Sequence, residues 1–428
     1  MNNLETVKSQ RFSEQYNVIH HSSGLDIMVW EKPGFSTTEA IFATKYGSIN
    51  TRFRLDKNEE FTEVPEGIAH YLEHKLFENE DTDVFDLYAA TGASANAYTS
   101  FDETAYTFST SDNWDKALEI LLDFVQKPYF TQENVDKEQG IIAQEIKMVQ
   151  DSPERKCFFE LLQALYVDHP VKIDIAGTVE SISHITPELL YECYNCFYNL
   201  HNMVLAIAGN VSTEKVIEIC DKMLRPAPET QLETAFPKEP ETVNKKRVVH
   251  TFEVGLPIFH IGFKAKPCSG IEYEKNSIAG YVVMQLLVGA ASSLHKELFE
   301  EGLINSQFGF EVFSASGSFF NCVISGESRD PDEVFARICA EIQRVKTEGF
   351  DEENFEIIKK SRYGGIVRAL NNVEACADSM VESYLNGTSV FDEAEELAKL
   401  TIDDCMKALD ELFNINSAAI SIVSAQKE

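Results

Sequence analysis

Basic residues are scarce in this sequence. Lysine and arginine number 37 against 70 aspartates and glutamates, a formal net charge of -33 over 428 residues. That balance disfavours nucleic acid and anionic membrane surfaces as partners, since both would be repelled. High solubility is the plainest use of the charge, and a preference for basic peptides is a weaker one. Long apolar runs are missing too: the stretch 281–291 is interrupted by Gln285 and falls short of the roughly 18 residues a membrane span needs. The N-terminal run from Met1 to Lys8 has no apolar core and no small-residue cleavage site, so no secretory signal is expected. Nine cysteines form no dense, paired framework, which excludes a disulfide-stapled fold and points to reduced thiols in a cytoplasmic protein. The one C-x-x-C, Cys193 to Cys196, lies in an aromatic-rich helical pattern without a second pair. Buried structural thiols are expected there rather than metal or redox chemistry.

At this length one compact core is not enough, and about two to three domains are expected. The first segment alternates short strand-like runs with turns, over 25–30 and 40–45, then passes through helical, strand and helical patterns at 83–90, 104–109 and 114–125. The pattern then returns. Trp114, Leu118, Leu122, Val125, Phe130, Glu133 and Asn134 match Val334, Ile338, Ile342, Val345, Phe350, Glu353 and Asn354, each pair 220 apart, as in 350 minus 130. Thr186-Pro187-Glu188 and the strand 203–208 are echoed by Thr401-Ile402-Asp403 and 418–423. A repeat of about 210 residues is too long for a solenoid and predicts two similar α+β halves, each an antiparallel-rich sheet with helices. The predicted boundaries are 1–224 for the first half, 225–247 for an extended linker carrying Pro226, Pro228, Pro237 and Pro240, and 248–428 for the second half.

The first half carries H-x-x-E-H, His70 to His74, inside an amphipathic helical pattern. Positions four apart share a helix face, so both histidines can aim at one metal ion. Glu73 sits beside them, placed to take a proton from water without being a ligand. Ile68, Leu72 and Leu76 form the opposite, core-facing stripe. Catalytic zinc keeps three protein ligands and leaves one position open, so a further carboxylate or histidine is needed downstream. Glu138 and Glu145, seven apart on a helical pattern, share a face, and Glu145 is flanked by Ile142, Ile146 and Val149. Between them, Gly92 to Thr99 is a small, polar strand. It suits either peptide binding by strand addition or an ordinary edge strand under a close helix. In the second half, the corresponding Ser292 to Phe299 offers only His295, a helix-surface residue. A cavity between one equipped half and one unequipped half is expected.

These residues resemble the pitrilysin, insulin-degrading and mitochondrial-processing type of zinc peptidase. The resemblance extends over essentially the whole chain, including the repeat. It implies a clamshell chamber and one Zn2+ per chain held by His70, His74 and Glu145, with Glu73 as general base and Glu138 as a supporting carboxylate. It further implies that Asn96 and Ala97, in the family's Gly-x-x-x-Asn-Ala-x-Thr strand, contact the peptide backbone. The activity implied is metalloendopeptidase cleavage of peptides or leader-type processing substrates. The alternative is a non-catalytic assembly or scaffold subunit.

One departure from the family pattern stands out. Active single-chain relatives carry a Leu-Arg-Glu-x-x-Gly-Leu-x-Tyr segment in the half without zinc. Here Leu298-Phe299-Glu300-Glu301-Gly302-Leu303-Ile304-Asn305 puts Phe299 at the arginine and Asn305 at the tyrosine. The resemblance therefore implies the zinc-bearing member of a bacterial heterodimer, whose zinc-free sister supplies both groups. A self-sufficient homodimer is the plainer alternative.

Overall fold

Strands buried at every position have both faces covered. Thr38–Thr44 and Met203–Gly209 are buried at every position and lie side by side within one sheet. The structure is a computed structural model that describes residues 2–78, 80 and 83–425. Met1, at the start of the N-terminal run where no signal is expected, and the end of the second predicted half, 426–428, lie outside those residues.

Among the described residues ten strands belong to the first of two compact units: β1 (Asn3–Lys8), β2 (Gln15–His20), β3 (Asp26–Glu31), β4 (Thr38–Thr44), β5 (Arg52–Arg54), β6 (Thr62–Glu63), β7 (Ser94–Thr99), β8 (Thr104–Thr110), β9 (Met203–Gly209) and β10 (Glu233–Thr234). Seven form a sheet in the order β1-β2-β3-β9-β4-β8-β7, antiparallel except for β3 with β9. A small sheet, β10-β5-β6, stands apart. Helices α1 (Ile68–Leu76), α2 (Val84–Thr91), α3 (Trp114–Val125) and α4 (Gln132–Gln150) contribute to its hydrophobic core, with Leu72, Tyr88, Leu118 and Ile142 all at 1% exposure or less.

In the second unit β11 (Arg247–Thr251), β12 (Ile258–Ala265), β13 (Gly309–Ala315), β14 (Phe319–Glu327) and β15 (Ala418–Ser424) form a sheet in the order β11-β15-β12-β14-β13. Its helices Gly270–Val288, Pro331–Glu348 and Ile402–Leu412 bury Val282, Ile338 and Leu409 with Phe259 and Ile261 of β12. Among the described residues no single helix is long and apolar enough to cross a membrane. Gly270–Val288 and Ser293–Glu300 pass that test only as a pair bent by 46°.

The internal repeat is visible in fine detail. Thr186 and Thr401 each cap a helix, Pro187–Phe197 and Ile402–Leu412, through their side-chain oxygens. Each helix leads to a 3-10 turn capped by Asn199 or Asn414, and then to β9 or β15. Each of those strands pairs parallel with one neighbour, β3 or β11, and antiparallel with the other, β4 or β12. The architecture is thus two similar α+β halves.

The compact units nonetheless differ from a single cut at 225–247. One comprises 1–146, 174–235 and 367–385, the other 147–173, 236–366 and 386–428. The helix Pro153–Leu165 places Cys157 against Ile258 and Val423, so its apolar face is satisfied on the second sheet. The linker is also less free than its prolines suggest. Glu239 accepts the Val167, Asp168 and His169 amides at 2.8–2.9 Å and pairs with Lys264 at 2.6 Å. A carboxylate and an ammonium that are both shielded from water need these partners.

Candidate metal centre

Helix α1 begins at Gly67, whose φ of 87° disfavours an L side chain. A Cβ there would also meet the Ala176 carbonyl oxygen at 2.4 Å. The loop around Ala176 therefore packs directly on the start of α1. Ile68, Leu72 and Leu76 are at most 2% exposed, as the apolar stripe predicts. Tyr71 and Lys75 are buried beside them. The Tyr71 hydroxyl donates to the Val135 carbonyl and so clasps α1 to α4.

That clasp brings the two helices' polar faces together. His70 Nε2 lies 3.6 Å from Glu145 Oε1, and His74 Nε2 lies 3.5 Å from Glu145 Oε2. One ligand atom from each of the three residues lies within 4.8 Å of the others. Donors bound to a tetrahedral zinc at about 2.0–2.1 Å stand roughly 3.4 Å apart, and each imidazole stands at about that separation from one of the two Glu145 oxygens. Two imidazoles and one carboxylate are also the donor set of an open, water-accessible site rather than a closed structural one.

The surroundings orient these groups. Glu138 Oε1 is 3.1 Å from His74 Nδ1, leaving Nε2 of that ring toward Glu145. Burial alone would depress the His74 pKa, but the Glu138 hydrogen bond and the charges of Glu73, Glu138 and Glu145 outweigh it and raise it. Lys75, with no exposed surface, pairs with Glu78 and stands 4.0 Å from Glu138 Oε2. Its ammonium helps hold the Glu78 carboxyl below the usual range, against the opposing effect of burial. His70 Nδ1 is buried with no hydrogen-bond partner among the described residues.

Glu73 projects from the same helix but joins neither imidazole. Its Oε2 accepts a hydrogen bond of 2.8 Å from Thr99 Oγ1, at the end of β7. Among the described residues strand β7 is an edge strand, paired only with β8. Asn96 and Ala97 lie on it opposite Thr107 and Tyr106. Asn96 is exposed and its Oδ1 accepts from the Ala97 amide at 2.9 Å, while Ala97 is half-buried against the core. Small side chains at Ala95 and Ala97 let α1 lie close to this edge. In the second unit, Phe299 is 53% exposed and Asn305 donates to Glu327 Oε2 at 2.6 Å.

The structure thus brings His70, His74, Glu145, Glu138 and Glu73 together and sets Asn96 and Ala97 on the adjoining edge strand. Sequence reasoning passed over Lys75 and Thr99. A lysine next to Leu76 with a glutamate three residues on, and the threonine that closes the Gly92–Thr99 motif, were the available signals.

The chain is similar to known proteins along most of its length. The family described as "Insulinase (Peptidase family M16)" matches residues 61–179, and "Peptidase M16 inactive domain" matches 184–362. The "Uncharacterized zinc protease YmfH" of Bacillus subtilis (strain 168) is 40% identical over 414 residues, 95% of this chain and 96% of that protein. The zinc protease PqqE of Helicobacter pylori is 26% identical over 378 residues, 81% of each chain. The crystal structure of an M16-like peptidase from Alicyclobacillus acidocaldarius has a TM-score of 0.92 at 34% identity, covering 99% of both chains. A relative 40% identical along nearly the whole chain, together with family matches running from residue 61 to 362, places this protein in the M16 peptidase family.

Proposed function

We propose that this chain is a zinc metalloendopeptidase. His70, His74 and Glu145 hold the ion, Glu73 is the general base, and β7 receives the substrate as an added strand. The observation that carries the reading is the placement of Glu73. It shares a nine-residue helix with two of the three donors, yet it bonds to Thr99 and not to them. A carboxylate so placed is free to move protons rather than to ligate.

Zinc, when bound, polarises a carbonyl oxygen and acidifies water. The protein's own groups do the rest. Glu73 takes a proton from the attacking water onto its carboxylate and delivers it to the departing amine nitrogen. Glu138 holds His74 by Nδ1 so that Nε2 stays directed at the site. The edge of β7 offers main-chain groups to an extended peptide, with the half-buried Ala97 leaving room for its backbone.

The proposal extends to the quaternary arrangement: a zinc-free sister chain supplies the arginine and tyrosine that Phe299 and Asn305 replace. An exposed phenyl ring cannot donate a hydrogen bond, and the Asn305 amide is already given to Glu327. We also assign the protein to the cytoplasm, in keeping with nine unbridged cysteines.

The test is Glu73→Gln, which keeps shape and removes basicity. With zinc content unchanged, it should abolish cleavage of a fluorogenic peptide panel that the wild type, supplied with its sister, cleaves. Wild-type-like cleavage by the variant refutes the base. Stoichiometric zinc with no cleavage in any wild-type combination favours the non-catalytic assembly reading.

A further inference from the structure

A glutamate carboxylate turns easily about its last torsion, for which the preference is broad and two-fold. A base that must meet one proton needs that torsion fixed. Among the described residues Thr99 is the side chain that donates to Glu73, at 2.8 Å to Oε2. Thr99 packs against a second, buried threonine. Thr104, with no exposed surface, donates to the Tyr46 carbonyl at 2.7 Å and stands 3.4 Å from Thr99 Oγ1. A threonine hydroxyl has one hydrogen, and giving it to Oε2 fills one of that oxygen's two acceptor positions. Among the described residues the other oxygen, Oε1, takes part in no hydrogen bond and is the less encumbered of the two for a proton.

We propose that Thr99 is a positioning residue. From the end of edge strand β7 it fixes the Glu73 carboxylate, leaves Oε1 unbonded for proton transfer, and ties the base to the strand on which a peptide would dock. The inference rests on the peptidase reading of Glu73. It adds a link between docking and chemistry: an edge strand is paired on one side only, and an added strand restrains it further, so Glu73 is held most firmly when substrate is in place.

The experiment compares zinc-loaded wild type, Thr99→Val, Thr99→Ser and Glu73→Gln, each with the sister chain, on one fluorogenic peptide. Valine keeps the branched shape that strands favour and removes the donor. Thr99→Val should lower kcat by about 10- to 100-fold, as loss of a supporting hydrogen bond does in metal sites. KM should stay within about twofold, because the lost interaction acts on the transition state and not on peptide docking. Zinc content should not change, and Thr99→Ser should restore most of kcat. A raised KM at unchanged kcat, or no rescue by serine, overturns the proposal. Crystal structures of zinc-bound wild type and Thr99→Val give an arm independent of turnover. One ordered Glu73 rotamer in the wild type and its loss in the variant support positioning, and an unmoved Glu73 overturns it. Absence of cleavage by the wild type would instead defeat the peptidase reading, leaving the crystallographic arm to decide the role of Thr99.

Discussion

His74 Nδ1 lies 3.1 Å from Glu138 Oε1, across 64 residues of sequence, and this contact turns the opposite ring nitrogen toward Glu145. A histidine that gives its second N–H to a carboxylate is held in one tautomer and one ring orientation. Replacing Glu138 by alanine should therefore weaken zinc binding about 10- to 100-fold without removing any ligand. Chelator competition on the purified protein reads this directly. Unchanged affinity would show that α1 alone orients His74.

Lys75 should prove essential to stability rather than to turnover. Its side chain has no exposed surface and faces Glu78 and Glu138. Lys75→Met fills the same space and leaves Glu138 without its lysine and Glu78 with Lys137 alone, so denaturant midpoints should fall by an amount equivalent to roughly 3 kcal/mol. A variant as stable as wild type would mean that the cost of burying the charge equals what the pairs return.

Stability should decline as pH rises from weakly acidic to weakly basic. The helix Val373–Asn386 carries Glu374, Asp378 and Glu382 at four-residue spacing in the first unit. Burial first, then Glu374 and Asp378, push the Glu39 carboxyl up to about 7, against a hydrogen bond from Ser109. Burial, then Asp102, Glu382 and Asp378, push Glu103 up to about 8, against a hydrogen bond from Tyr98. Asp102 and Asp378 are themselves raised, burial again being the largest cause. In each glutamate the folded value exceeds the free value of 4.5, so the folded chain keeps protons the unfolded chain has released. The stabilisation is complete below that free value and is lost as pH rises through the folded values. Thermal midpoints should fall between pH 5 and pH 8, and the Glu39→Gln/Glu103→Gln double variant should raise the pH 8 midpoint by about 5 °C. A midpoint that climbs over that interval would contradict the assignment.

The isolated chain should be a poor peptidase. A donor at a developing oxyanion is commonly worth about 10²- to 10³-fold, and this chain has Phe299 and Asn305 where two donors are expected. Adding a zinc-free sister should raise kcat/KM by at least that factor. Replacing the sister's arginine and tyrosine should abolish the gain. Full activity from the isolated chain, unaltered by the sister, would sink the heterodimer.

Much of the site was legible because its first part is local. Two histidines four residues apart on a helix with an apolar stripe must face one way, whatever the rest of the chain does. The repeat was legible for the same reason: caps such as Thr186 and Thr401, and the apolar periods after Trp114 and Val334, are written residue by residue. Glu145 and Glu138 needed family resemblance as well, because a helix face in an acidic chain does not name its partner.

What the sequence determined by itself is the chemistry on offer: two imidazoles, a carboxylate beside them, a downstream carboxylate pair, and two α+β halves of which one lacks the motif. What only the tertiary structure decided is which groups meet across long stretches of chain. Thr99 reaches Glu73 over 26 residues, and the helix Pro153–Leu165 settles on the second sheet although it directly follows the helix that bears Glu145. Periodicity states which face of an element avoids water, but not which surface will cover it. Donor and acceptor are paired only when packing fixes that choice, because the contacts that select one surface over another are summed over the whole core.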